Sequence, residues 1–165
     1  MPNASRSRTI AAPALQLWEV ISDPHHLPRW WPRVTRVEAV EDGAFTEVMK
    51  TRKGKFVRAD FQLIESDEDA RRIRWEQRVQ GTPFERVLKS AETEVRLQPG
   101  SAQATSTAET TEATSTAEVT ETTEVTIELR QALNGFFPRF GGYMVRRAAE
   151  ATLDEALDGL ERIGG

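Results

Sequence analysis

Apolar residues recur at every second position through the middle of the chain and at every third or fourth position near both ends, which predicts strands bracketed by helices. Ser5 to Ala12 reads as a short strand. Pro13 suits a helix start, because its missing N–H would be unpaired there anyway, and Ala14, Leu17, Trp18 and Ile21 then share one helix face. That helix ends at Asp23-Pro24, since proline disfavours the helical region for the residue before it. A second short helical piece, His25 to Trp31, stops at Pro32.

From Val34 to Val79 the alternation is broken only by turn signals at 41–43, 52–55 and 66–69, a spacing that predicts consecutive antiparallel hairpins. Val57, Ala59, Phe61 and Leu63 share one face of a strand; Ile73, Trp75, Gln77 and Val79 share one face of the next, opposite Arg72, Arg74, Glu76 and Arg78. One face is therefore buried and the other wet. After a turn at Gly81-Thr82-Pro83, the stretch Phe84 to Leu97 has two parities. Phe84, Arg86 and Leu88 share one face and Val95 and Leu97 the other, and a bulge between Lys89 and Glu92 reconciles them. A last strand carries Val125, Ile127, Leu129, Gln131 and Leu133 in phase. Pro138 then opens a long amphipathic helix to about Ile163, with an apolar stripe of Phe140, Met144, Ala148 or Ala149, Leu153, Ala156, Leu157, Leu160 and Ile163. The resulting fold class is α+β: a curved antiparallel sheet wrapped around a long C-terminal helix, the helix-grip arrangement, with two short helices after the first strand.

Charge changes this picture at one place. The chain has 165 residues and a net charge of −4 from 22 Lys and Arg against 26 Asp and Glu, but residues 101–126 hold five Glu and no Lys or Arg. The same stretch has ten Thr and repeats Ala-Thr-Ser-Thr-Ala-Glu at 104–109 and 113–118. It reads as a low-complexity insertion at about 101–124, between the last two strands of a single domain spanning 1–165. The mild acidity argues against a nucleic-acid partner. With no cysteine, thiol chemistry and sulfur-ligated metal are excluded, and the adjacent His25 and His26 lack a third ligand, so neither metal nor cofactor is expected. The first residues lack the apolar stretch of a signal peptide and no window approaches a membrane span, so a soluble cytoplasmic protein is the expectation.

The segments Ile10-Ala11-Ala12-Pro13, Leu17-Trp18-Glu19-Val20-Ile21-Ser22-Asp23-Pro24 and Leu27-Pro28-Arg29-Trp30-Trp31-Pro32 resemble the start of SRPBCC proteins, the START and pollen-allergen-like superfamily. More narrowly they resemble its polyketide cyclase/dehydrase-like branch. Gly81-Thr82-Pro83-Phe84 and the run Phe140-Gly141-Gly142-Tyr143-Met144-Val145-Arg146-Arg147 are similar to the same branch. The resemblance implies a cavity between the concave sheet face and the last helix, opening near the two short helices. Its members include lipid carriers, quinone-binding proteins and aromatase/cyclases.

The candidate ligand-binding residues follow from phase. Gln77 and Gln131 aim amides at the apolar side, where an unpaired amide is costly, so each either satisfies backbone locally or meets a polar ligand atom. Arg86 is inward on one parity, where a guanidinium would anchor a carboxylate, phenolate or enolate, and exposed on the other. Tyr143, the one tyrosine, stands beside Gly141 and Gly142, a glycine pair that points to a close approach of backbone. Trp30, Trp31, Met49, Phe61, Trp75, Phe84, Phe137, Phe140 and Met144 supply flat or polarizable walls suited to an aromatic, isoprenoid or acyl ligand. The expected function is binding of a hydrophobic small molecule such as a lipid, isoprenoid, quinone or polyketide. Two alternatives stand beside it: a polyketide cyclase, aromatase or dehydratase using the same cavity, and a protein-interaction module acting through the acidic insert or the basic hairpin at 50–58. A collapsed cavity favours the interaction module, and a deep one with only amides favours carriage. An inward Arg or carboxylate together with Tyr favours catalysis.

Overall fold

The computed structural model describes residues 3–100, 103–104, 119–134 and 139–164. Strand β1 (Asn3–Ile10) leads into α1 (Ala14–Ile21), a 3-10 turn (Pro24–His26) and α2 (Leu27–Trp30). Five strands follow, β2 (Val34–Glu41), β3 (Ala44–Lys50), β4 (Phe56–Asp67), β5 (Arg72–Arg78) and β6 (Leu88–Pro99). A two-residue pair, β7 (Gln103–Ala104) and β8 (Val119–Thr120), precedes β9 (Thr123–Leu133) and the long helix α3 (Arg139–Gly164). Seven of the strands form one antiparallel sheet in the order β1-β9-β6-β5-β4-β3-β2. This is the expected helix-grip arrangement.

Local chemistry explains the connections. Glu41 pairs with Ala44 across Asp42-Gly43, and both loop residues have positive φ, 49° and 79°, the geometry of the two-residue turn whose twist matches a hairpin. Asp23 terminates α1 and caps the next turn, accepting from the His25 amide at 3.0 Å. His25 and His26 sit beside this aspartate on the turn.

The core lies between the concave sheet face and α3. Val95 stands opposite Ile127 and Leu97 opposite Val125, and these four meet Leu153, Ala156, Leu157 and Leu160. Glu94, Arg96 and Arg74 occupy the other parity, where carboxylates and guanidiniums pair across strands, for example Arg74 with Glu92 at 3.1 Å. The helix is also tied to the edge strand: Arg6 reaches Glu150 at 3.0 Å, and Arg8 reaches Glu161 at 3.1 Å and Asp158. Such half-exposed pairs contribute little to stability.

Two local expectations need correction. The strand predicted from Phe84 begins at Leu88, because Pro83 opens a 3-10 turn over Pro83–Arg86 that Asn134 holds by donating to the Glu85 carbonyl at 2.9 Å. The expected bulge is real and sits between Leu88 and Ser90. On α3 the buried stripe runs through Ala149, Leu153, Ala156, Leu157 and Leu160 and leaves Met144 69 % exposed. Among the described residues no helix is long and apolar enough to cross a membrane.

Most of the Thr/Glu-rich stretch expected to be an insertion lies outside the described residues, but the residues on either side of it meet. The Gly100 amide donates to the Thr122 carbonyl at 2.8 Å, one step beyond the pair Pro99 and Thr123. Replacing 101–121 by Asn-Gly therefore closes β6 and β9 with a two-residue hairpin turn. The melting temperature followed by circular dichroism is expected to move by less than about 4 °C. A drop several times larger would show that the insert supports the sheet.

Candidate functional site

A cavity of 290 Å³ remains where the sheet curves away from the first half of α3. Its floor follows from strand parity. Phe61 pairs with Gln77, Thr93 with Leu129 and Ala91 with Gln131, so the concave face carries apolar and amide side chains in adjacent rows. Trp31, at the end of α2, and Met49, at the end of β3, form the walls; Val145, Ala148, Ala149 and Thr152 of α3 form the roof. The indole of Trp31 meets that of Trp75 edge-on at 6.4 Å, and Phe61 stacks on Phe45 at 5.3 Å. Trp75 and Phe45 line a second, apolar pocket of 200 Å³ beneath α1 and α2. These two aromatic pairs thus partition the space under the helices.

One acidic side chain sits inside. Glu47 lies in phase with Phe45 and Met49 on β3, opposite Ala59, and is 3 % exposed. Burial alone pushes its carboxyl up to about 8, with no cation or hydrogen-bond donor set against it among the described residues. At neutral pH the group is mostly a neutral acid, able to donate one hydrogen bond and accept others. Gln77 contributes a second unsettled group, because its Nε2 is buried without a partner. A buried amide donor without an acceptor is disfavoured by about 1–3 kcal/mol, and Glu47 and Gln77 are thus two lining residues with polar groups that lack a partner among the described residues.

A second hollow lies beside the cavity. The pairing of β5 with β6 ends at Glu76 and Glu92, while β6 stays paired with β9 through Ala91 and Ser90. The groove left there, 530 Å³, shares Gln77, Ala91 and Gln131 with the cavity. The two glutamines therefore border both spaces.

This geometry can be set beside known proteins. The family described as polyketide cyclase / dehydrase and lipid transport matches residues 1–163. The chain belongs to this family. Solved structures resemble it over nearly its whole length: a START superfamily protein from Mycobacterium smegmatis at 16 % identity and TM-score 0.70, covering 98 % of this chain and 96 % of that one. The Zhui aromatase/cyclase from a Streptomyces species matches at 16 % identity and TM-score 0.69, over 96 % and 90 % of the two chains. The di-domain ARO/CYC protein BexL matches at 22 % identity and TM-score 0.70, over 98 % of this chain and 46 % of that one, so this chain spans about half of the di-domain protein. At these identities the likeness is one of fold. No curated protein matches the sequence.

Within this family fold, Trp31, Met49, Phe61, Gln77 and Gln131 come together in the cavity. Trp75 lies across the aromatic partition, and Trp30 is buried where α2 meets α3, outside the cavity lining. Phe84 is half-buried on its 3-10 turn, packed against the core edge. Three candidates are elsewhere. Arg86 is exposed at the end of that turn, so neither strand parity applies to it. Tyr143 is 59 % exposed, its ring facing the Arg147 guanidinium, and Met144 is exposed beside it. The glycine beside Tyr143 does not mark a close approach, since a Cβ on Gly142 would meet nothing within 4 Å. Phe137 and the side chain of Phe140 lie outside the described residues. Glu47, Thr93, Leu129, Val145 and Thr152 were missed. For Glu47 the signal existed: it stands at period two between Phe45 and Met49.

Proposed function

We propose that the chain binds a hydrophobic small molecule in the cavity between the sheet and α3. The observation that carries this reading is the cavity itself: 290 Å³, walled by Trp31, Met49, Phe61, Leu129 and Val145, with Gln77 and Gln131 bordering both it and the neighbouring groove. Its size is at the lower end of pockets that hold small organic ligands, and its mix of apolar walls with a few inward polar groups is what such pockets have in common. An open cavity also favours a ligand over a role purely in protein contacts.

Extraction of the purified protein with organic solvent, followed by mass spectrometry, is expected to release an apolar compound. Ala148→Trp, which adds an indole at the exposed rim of the roof, is expected to lower its occupancy at least tenfold with an unchanged circular dichroism spectrum. Arg86→Ala and Tyr143→Phe are expected to leave occupancy unchanged, because both side chains are exposed. Repeated failure to recover or titrate any apolar ligand would overturn the reading.

Glu47 favours a second reading, a cyclase- or dehydratase-type reaction in which the neutral acid protonates a ligand carbonyl oxygen. Such chemistry also needs a base, and among the described residues Glu47 is the one titratable group lining the cavity. Binding is therefore the better supported of the two.

A further inference from the structure

The antiparallel register divides the connections between two ends of the sheet. Turns 42–43 and 68–71 lie at one end, since Ala44 pairs with Gln62 in the half of β4 that leads to the second turn. Thr123 belongs to the same end, because Arg72 pairs with Arg96 just before Pro99 meets Thr123. The turn 51–55 and the connection 79–87 lie at the other end, where Lys50 pairs with Phe56 and Asp60 with Arg78. Helix α3 starts at this second end. The Asn134 amide donates to the Val87 carbonyl there at 2.8 Å, whereas Gly164 lies against Ile10 and Ala12 at the first end.

Charge follows this division. Among the described residues, the connections of the first end carry Asp42, Glu68, Asp69 and Glu121 against Arg71. The second end carries Arg52, Lys53, Lys55, Arg86 and Arg147 against Glu85. Arg146 is paired with Glu150 at 3.2 Å, but those five cations have no carboxylate partner among the described residues. The hairpin tip is a closed turn, its Thr51 amide donating to the Lys55 carbonyl at 2.8 Å and its Gly54 amide to the Thr51 carbonyl at 2.9 Å, so three cations are held together. Exposed apolar side chains gather at the same end. Phe56, at the foot of the hairpin, is 61 % exposed with the Lys50 Nζ 6.0 Å from its ring, and Val87, Tyr143 and Met144 are exposed as well. The other large apolar side chains exposed among the described residues, Leu15, Val40 and Ile64, stand on α1, β2 and β4.

Cations and apolar side chains together, on separate protrusions, narrow the choice of partner. A nucleic acid offers phosphates but no apolar phase for Val87 and Met144. An acidic protein would have to match the shape of the hairpin and of the helix start at once. The interface of an anionic bilayer adapts to both, with headgroup charge for the cations and the acyl boundary for the apolar groups. We propose that this end of the molecule, the tip between β3 and β4 with the connection 79–87 and the first turns of α3, docks peripherally on an anionic lipid bilayer. The acidic opposite end is repelled by the same surface, so the approach is oriented. Met49, beside the hairpin, and Val145, beside Met144, are walls of one cavity, so the two docking elements flank it. Docking itself needs no occupant in that cavity.

Cosedimentation of the full chain with vesicles tests this. Vesicles of phosphatidylcholine mixed with phosphatidylglycerol are expected to bind the protein, and vesicles of phosphatidylcholine alone to bind it about tenfold more weakly. Salt at about 1 M, where charges are screened beyond about 3 Å, is expected to release it. Lys53→Glu is expected to weaken binding about tenfold, whereas Arg162→Glu, the same charge change near the far end of α3, leaves it unchanged. Phe56→Ser is expected to weaken it about fivefold and keep its salt dependence. All three side chains are exposed, so circular dichroism should not change. Failure to bind the anionic vesicles would overturn the proposal. So would equal losses in Lys53→Glu and Arg162→Glu, which would make net charge the cause. A duplex oligonucleotide or polyglutamate bound as tightly as the anionic vesicles, with no effect of Phe56→Ser, would also overturn it and assign the cations to another polyanion.

Discussion

Gly159→Ala is expected to destabilise the protein by about 2–3 kcal/mol, although alanine is the better helix former. Gly159 lies within α3, and a Cβ there would stand 2.4 Å from the carbonyl oxygen of Trp30, 2.7 Å from its Cα and 2.9 Å from its carbonyl carbon. These are backbone atoms, so no side-chain rotation relieves the contact. Helix α2 would have to move off α3, and α2 carries Trp30, 2 % exposed, and hands the chain to Trp31, whose amide donates to the Leu27 carbonyl at 2.8 Å. Trp31 is in turn a cavity wall packed edge-on against Trp75. The substitution should therefore cost ligand affinity as well as stability.

Gly142→Ala supplies the internal control on the same helix. Nothing lies within 4 Å of the point where its methyl group would stand, so only helix propensity acts, and a gain of up to about 1 kcal/mol is expected. Thermal melts read the contrast directly. At roughly 2–4 °C per kcal/mol for a chain of this size, Gly159→Ala should melt about 5–10 °C below the wild type and Gly142→Ala slightly above it. Equal shifts of the same sign would mean that α2 yields freely and that the glycine is not what sets its distance from α3.

These two glycines also show where sequence reading succeeds and stops. Strand parity is a period of two that burial enforces on every residue, so Phe61, Gln77 and Gln131 could be aimed at the concave face from alternation alone. Helix phase is harder near an end. Met144 and Ala148 keep a spacing of four between themselves but fall out of step with Leu153, whereas Val145 and Ala149 keep that spacing up to Leu153; the structure buries Ala149, 7 % exposed, and brings Val145 to the cavity. Arg86 escaped both parities because Pro83 converts its segment to a 3-10 turn. Glu47 was in phase, but a carboxylate between Phe45 and Met49 is ordinarily exposed, and the strand's other parity also holds a buried residue, Val48 at 1 %. The close approach at Gly159 depends on where α2 docks, a contact between segments well over a hundred residues apart that no local pattern encodes.

Between pH 5 and 9 the protein is expected to lose stability as pH rises, and Glu47→Gln to remove most of that slope. An acid whose folded-state pKa is raised works in the opposite sense to a salt-bridged carboxylate. The Glu47 carboxyl titrates near 4.5 when unfolded and about 8 when folded. Below 4.5 it is protonated in both states and adds no pH dependence. From there to about 8 only the folded state holds the proton, so each pH unit removes about 1.4 kcal/mol, roughly 5 kcal/mol in all before the curve levels. Glu38, held below the usual carboxylate range by Arg36 and Arg58, and Glu65, held there by Arg72, act in the other direction. Their stabilisation is present above about 4.5 and lost below it, outside the window in question.

A domain's whole stability is about 5–15 kcal/mol, so the effect should dominate urea midpoints measured at pH 6, 7, 8 and 9. The wild-type midpoint is expected to fall across the series and that of Glu47→Gln to stay nearly level, because glutamine fills similar space and stays neutral. Parallel slopes would mean that the carboxyl is already ionised at neutral pH and reached by water, which would also remove the neutral donor from the cavity. A falling wild-type curve would show that the protein keeps an acid where an amide is more stable at alkaline pH. Stability alone does not account for such a residue.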